Sequence, residues 1–248
     1  MEKVFDAYGK YYNLFYTDKQ YSLETDYIDN IIKEFAPKTK TILEYGSGTG
    51  GHGLLLKDKG YAIMGIERSE EMAKIAMAKG YNCHVGDILD YKMSQTFDAC
   101  IALFHVVSYI NRNTDLINLF SKTRSRLNPN GIFIFDVWFS PAVMFQTPEV
   151  RIKKAEDDQV AVTRLAQPVI DNLKNVVTVN YHVFIKNKQN GQCTELSESH
   201  PMRHFSIPEI ELLAEHTGFS ILKTEEFLTK NQPSSNSWGV TFILKANE

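Results

Sequence analysis

Four short apolar runs in the first half of this 248-residue chain each end beside a side chain that can do chemistry. Glu44 lies at the end of the first, two residues ahead of Gly46; Glu67 ends the second, Asp87 follows the third and His105 follows the fourth. Gly46, Gly48, Gly50 and Gly51 come directly after the first run. Glycines at that spacing let the backbone turn sharply and leave no Cβ to collide with a ligand. Gly46, Gly48 and Gly51 fit G-x-G-x-x-G, which taken alone points to a dinucleotide. Glu44 argues the other way, because a carboxylate there repels a pyrophosphate and attracts an ammonium. Glu67 stands close to the interval of about 20 residues expected of a carboxylate that binds a ribose. Arg68 follows it at the same edge. Together they suit a cofactor that contains a nucleoside. His105 is the histidine placed to orient an acceptor or to act as a general base.

These side chains need a frame that brings strand ends to one edge. Residues 41–45, 61–67, 81–85, 96–102 and 132–137 read as buried strands. Helices are expected over 53–59, stopped by Gly60; from an N-cap at Ser69 to Ala78, stopped by Gly80; and over 113–127. In an open α/β sheet the ligand lies beyond the carboxyl ends of the strands. That rule brings Leu103, Phe104 and His105 to the reacting edge and makes Asp136 and Trp138, at the end of the fifth strand, candidates for a substrate pocket. Ahead of the sheet, Val4, Tyr8, Tyr11, Tyr12 and Phe15 recur at helical spacing, as do Tyr27, Ile28, Ile31, Ile32 and Phe35, giving two helices with a break over 17–22.

From about residue 145 the texture changes to strands, expected over 150–156, 159–166, 175–186 and 192–203. Residues 176–185 alternate with few charges on either face, as in an antiparallel sheet that lies over the active site or another subunit. His200 and His204 are four residues apart, but Pro201 between them argues against one helical face, so they read as surface or lid histidines. Ser206 then starts a helix, with a capping-box partner in Glu209 and a proline at 208. Gly218 ends it, and strands over 219–227 and 238–245 close the chain. The expected fold is α/β, a Rossmann-like seven-stranded sheet with helices on both faces. A helical cover (1–37) precedes a cofactor-binding core (38–144); an antiparallel β insertion (145–203) precedes the closing helix and strands (204–248), all in one domain.

Glu44, Gly46, Gly48 and Gly50 form an acid-x-Gly-x-Gly-x-Gly pattern that resembles motif I of the class I S-adenosylmethionine (SAM) methyltransferases. The passage from the fifth helix through Leu127-Asn128-Pro129-Asn130-Gly131, and the closing Gly-Phe with its strands, are similar to that family too. The resemblance implies SAM as cofactor, with Asp87 accepting from the adenine amino group and Ile88 packing on the ring. It sets Leu103 and Phe104 beside the methionine part. Tyr12-Asn13-Leu14-Phe15-Tyr16, with Tyr21 after it, resembles the start of small-molecule N-methyltransferases, including those that dimethylate amino sugars. There such tyrosines close over the methionine end of SAM and the incoming amine. The resemblance makes Tyr12 and Tyr21 cofactor residues and sets Tyr16 over the transferred methyl, which the rule for strand ends has His105 face from the opposite side. The implied acceptor is an amine on a nucleotide-linked or related sugar. An O-methyltransferase acting on a carbohydrate or polyol is the alternative; a dinucleotide-dependent oxidoreductase and a SAM-binding protein without catalysis are the other readings of the same loop.

Composition sets limits. Hydrophobic residues make up 43% of the chain and charged residues 23%. Both shares are ordinary for a globular enzyme. The net charge is −3 with no Lys/Arg block. The electrostatic footprint of a nucleic-acid binder is therefore missing. Cys83, Cys100 and Cys193 are dispersed and odd in number, as free thiols in a reducing compartment are. No apolar run approaches about 20 residues and no signal-peptide pattern opens the chain, so a cytoplasmic protein is expected, with no membrane partner and a small-molecule substrate. A homodimer is expected if the β insertion covers another subunit.

Overall fold

The computed structural model describes residues 14, 15 and 19–247. Helix α1 (Tyr21–Phe35) is followed by β1 (Thr41–Tyr45), α2 (Gly51–Asp58), β2 (Ala62–Glu67), α3 (Glu70–Ala78), β3 (Cys83–Val85) and β4 (Phe97–Ala102). A 3-10 turn (Val106–Tyr109) leads to α4 (Asn113–Arg126), β5 (Leu127–Phe139) and α5 (Ser140–Gln146). The insertion is β6 (Arg151–Glu156), β7 (Val160–Asp171), β8 (Val176–Asn187) and β9 (Cys193–Phe205). Helix α6 (Ile207–His216), β10 (Phe219–Glu226) and β11 (Gly239–Ala246) finish the chain.

The core is a seven-stranded sheet in the order β3-β2-β1-β4-β5-β11-β10. Its first five strands are parallel, and β11 runs antiparallel between β5 and β10. Strand β1 is buried on both faces, which is why it reads as a continuous apolar run rather than an alternation. Tyr27, Ile28, Leu56 and Ala73 from α1–α3 pack on one face of the sheet, and Leu116, Phe120, Ile210 and Ala214 from α4 and α6 on the other. Ser69 caps α3 as its sequence predicts. Its hydroxyl accepts from the Met72 N–H at 3.3 Å.

The four insertion strands form an antiparallel meander that joins the core where Trp138 and Phe139 of β5 pair with His204 and Phe205 of β9. Strand β7 runs on to Asp171, five residues beyond the expected end, and so through Pro168. Pairing with β6 stops at Ala166, so Pro168 occupies a stretch of edge strand where no neighbour needs its missing N–H. The expected turn at 128–131 lies within the span of β5, with Asn130 left-handed at φ 64° and a register shift against β4 at that point. The capping box at Ser206 is not formed: Ser206 makes no side-chain cap, and the Glu209 carboxylate pairs with the guanidinium of Arg203 instead of turning back to the Ser206 N–H.

Candidate active site

Strand order reverses between β1 and β4, the point at which an open α/β sheet leaves room for a ligand. A cavity of about 360 Å³ opens there, beyond the carboxyl ends of the strands. The turn after β1 makes its near wall. Gly46, Gly48 and Gly50 all have positive φ. A Cβ on Gly48 would meet no protein atom within 4 Å, so that position faces open space, and Gly46 and Gly48 both line the cavity. Gly50 instead caps α2 and leaves room beneath for the Tyr81 ring.

Glu67 secures the turn. Its carboxylate accepts from the Gly48 N–H and the Ser69 N–H, each at 2.8 Å, and it lines the cavity with Arg68. Burial pushes its pKa up, against the pull of those N–H groups. Asp87, Ile88 and Leu89 form the adjoining wall, with Asp87 Oδ1 accepting from the Leu89 N–H at 2.9 Å.

Glu44 does not line the cavity. It is 2% exposed and lies beneath the glycine turn, where the Tyr81 hydroxyl donates to it at 2.5 Å. Burial raises its pKa to about 7, opposed by the Tyr81 hydrogen bond and by Lys19. Tyr81 was not singled out by sequence, yet a Cβ on Gly53 or Gly65 would strike its ring at 2.3 or 2.7 Å. Three glycines thus make room for one phenol that holds the motif's acid. Gly51, which completes G-x-G-x-x-G, has another neighbour: a Cβ there would come within 2.4 Å of the Tyr21 ring. Tyr21 lines the cavity and meets His52 edge-on at 4.9 Å.

The β4 end supplies Leu103, Phe104 and His105 to the cavity. Phe104 and His105 are both left-handed, at φ 65° and 64°. Two such non-glycine residues in succession are strained, and the fully buried Asp136 holds them. Its carboxylate accepts from the Phe104 N–H at 2.7 Å and the His105 N–H at 3.2 Å, and Oδ2 lies 2.7 Å from His105 Nδ1. That last contact is an ion-pair distance bent away from a hydrogen bond's direction. Burial alone would raise the Asp136 pKa, but His105 and, more weakly, Lys19 hold it below the ordinary carboxylate value. Asp136 therefore sits behind His105 rather than in the main cavity, while Trp138 does line it.

The far wall comes from the insertion: Arg164, Val179, Tyr181, His200 and Met202, with Tyr109 beside them. His200 and His204 are 1% and 0% exposed, which corrects the surface reading. His200 Nδ1 faces the Tyr109 hydroxyl and its Nε2 faces Glu198, both at 3.1 Å; His204 Nδ1 lies 2.8 Å from the Ser140 hydroxyl, away from the cavity. Strand alternation placed these side chains inward, a signal the flanking polar residues masked. Tyr12 and Tyr16 fall outside the described residues. Phe15 lies inside them and packs with Met72, Val162, Val183 and Ile185 between core and insertion.

The profile of a methyltransferase domain matches residues 19–224, so the chain belongs to that family. It is a SAM-dependent methyltransferase. Among similar proteins, a putative methyltransferase YqeM of Bacillus subtilis (strain 168) is 24% identical over 241 residues, covering 94% of each chain. A dTDP-3-amino-3,4,6-trideoxy-alpha-D-glucopyranose N,N-dimethyltransferase of Streptomyces venezuelae is 24% identical over 199 residues, 79% of this chain and 78% of that one. The crystal structure of a SAM-dependent methyltransferase from Clostridium acetobutylicum ATCC 824 matches 96% of this chain and 97% of its own, with a TM-score of 0.81 and 21% identity. Among the described residues, no helix is long and apolar enough to cross a membrane.

Proposed function

We propose that this enzyme methylates the amine of a small acceptor, a nucleotide-linked or related amino sugar. The observation that carries this reading is a cavity that joins the glycine turn, Glu67 and Asp87 to a far wall built by the insertion. One ligand at each end would meet near His105. The names of relatives such as the Streptomyces venezuelae dimethyltransferase support the acceptor class.

The near end fits the methyl donor. The open space over Gly48 admits it, the Glu67 carboxylate suits its ribose hydroxyls, and Asp87 and Ile88 suit the adenine edge and face. Gly46, Leu103, Phe104 and Tyr21 would surround its methionine part, with Tyr12 as a further member and Tyr16 over the acceptor. When bound, SAM supplies a methyl group on a sulfonium, which needs alignment and exclusion of water more than activation. His105 takes the proton that the acceptor nitrogen sheds. The Asp136 carboxylate lies 2.7 Å from its Nδ1. A carboxylate so placed favours a proton on that atom and leaves Nε2 as the acceptor. The same reading takes the chain as one methyltransferase domain working in the cytoplasm on a small molecule, without nucleic acid or membrane.

Isotope-labelled SAM offered with a panel of dTDP-amino sugars, simple amino sugars and polyols tests the proposal. Label in a nitrogen-linked methyl group is expected. Label only on oxygen, or NAD binding more tightly than SAM in calorimetry, would overturn it.

A further inference from the structure

Lys19 lies just ahead of α1 and lines the cavity with Tyr21, Phe104 and His105. Its ammonium sits 3.6 Å from the centroid of the Phe104 ring, 4.7 Å from that of Tyr21, and 3.4 Å from Glu24 Oε2. The side chain is 6% exposed. Burial pulls its pKa down, while Glu24 and the more distant Asp136 and Glu44 oppose that pull. Two ring faces and a carboxylate around one cation form the surroundings that recognise an onium centre of any kind, because the faces carry negative quadrupole density. Phe104 presents its ring here from a left-handed backbone, so the cage is held by the Asp136 bonds that fix that turn.

We propose that this cage of Phe104, Tyr21 and Glu24 receives an onium ion during the reaction, either the sulfonium of the methyl donor or the alkylated ammonium of the acceptor, and that Lys19 is its internal occupant, displaced when that ion arrives. The proposal rests on the methyltransferase reading. Two cations cannot share the cage, since their repulsion in a low-dielectric site far exceeds its value in water. Glu24 keeps its place without Lys19, because His52 Nε2 lies 2.6 Å from the same carboxylate oxygen. Lysine suits the role of a leaving occupant: a compact charge on a flexible four-carbon stem. While Lys19 fills the cage, the measured affinity of the incoming ion is scaled down by the fraction of protein in which the cage is vacant.

The test compares Lys19→Met with wild type by calorimetry. SAM and its demethylated product, S-adenosylhomocysteine, share the amino-acid ammonium and differ by the sulfonium charge. If the cage takes the sulfonium, Lys19→Met should bind SAM about tenfold or more tightly than wild type, with product affinity within about twofold. If it takes the acceptor's ammonium, that ratio stays put. Tetramethylammonium chloride should then bind product-loaded Lys19→Met about tenfold or more tightly than product-loaded wild type. Either gain should vanish when Phe104→Leu or Glu24→Gln is added, and thermal melting identifies a variant that has not folded. No gain in either titration, or a gain that survives either Phe104→Leu or Glu24→Gln in a folded protein, overturns the proposal. Failure of wild type to bind SAM and its product overturns the methyltransferase reading instead.

Discussion

At the scale of single residues, the site divides into groups that face the ligand and groups that hold them. Gly48 is of the first kind: valine there would project into the cavity from a backbone with φ +55°. A β-branched residue is strained in that conformation. Gly48→Val should remove measurable SAM binding in calorimetry while the protein still unfolds cooperatively; unchanged affinity would refute the placement of the donor. Glu44 is of the second kind. Its carboxyl is raised from 4.5 to about 7, so the native state keeps a proton that the unfolded chain releases. Stability attached to Glu44 is whole below pH 4.5 and falls as pH rises to about 7. Wild type should therefore lose about 3 kcal/mol relative to Glu44→Gln across that window, and no more above it. Denaturant unfolding of both proteins at pH 4.5 and 7.5 measures this, and parallel pH profiles would count against it. His105→Ala should lower kcat on the order of 10²–10⁴-fold with SAM affinity nearly unchanged, as expected of a general base. A loss below about tenfold would reduce His105 to packing.

At the scale of elements, the sequence made the strand–glycine–helix entrance and the next strand and helix legible because their signals are local: apolar runs, turn glycines, and a cap at Ser69 where α3 begins. What it hid depends on contacts between distant segments. Tyr81 meets Glu44 and three glycines only because β3 lies two strands away from β1 in the sheet, and no periodicity encodes that meeting. Ser206 and Glu209 carry the capping-box pattern, but Arg203, held against the α4 start by its bond to Asn113, takes the glutamate first. Pro168 reads as a strand breaker until the short reach of β6 makes its position an edge. Gly51 shows the same limit. It belongs to a ligand-binding pattern, yet the neighbour that needs its missing side chain is Tyr21 of α1. Gly51→Ala must push that ring, and with it the start of α1, away from α2. The expected result is a stability loss of about 1–3 kcal/mol in denaturant unfolding, the usual cost of overpacking, together with weaker SAM binding. Wild-type values for both would mean that the ring is free to step aside.

At the scale of the whole molecule, one continuous run of paired strands builds both ends of one cavity, since β9 joins β5 just past Val137 and ties the insertion to the core. Donor and acceptor should accordingly be separable by mutation even though they share a cavity. The glycine turn, Glu67 and Asp87 lie at one end. Tyr181 lies at the other, its ring 4.7 Å from the Arg164 guanidinium and 4.7 Å from His200, so one aromatic side chain supports two neighbours in that wall. Tyr181→Ala should raise the acceptor KM about tenfold to a hundredfold, the effect of losing one packed aromatic with its stacking partners, and leave the dissociation constant of SAM in place. The chain's two tryptophans offer a direct readout, because Trp138 lines the cavity and meets Trp238 edge-on at 5.5 Å and His105 at 6.2 Å. In Trp238→Phe the remaining emission comes from Trp138. It should shift to the blue as an acceptor excludes water from the product-loaded enzyme, and change less when the product binds alone. The added Tyr181→Ala change should move the acceptor titration to higher concentration by the same factor as KM. Equal weakening of SAM and acceptor by Tyr181→Ala would mean that the insertion shapes the donor site as well, and the division of the cavity into two ends would fail.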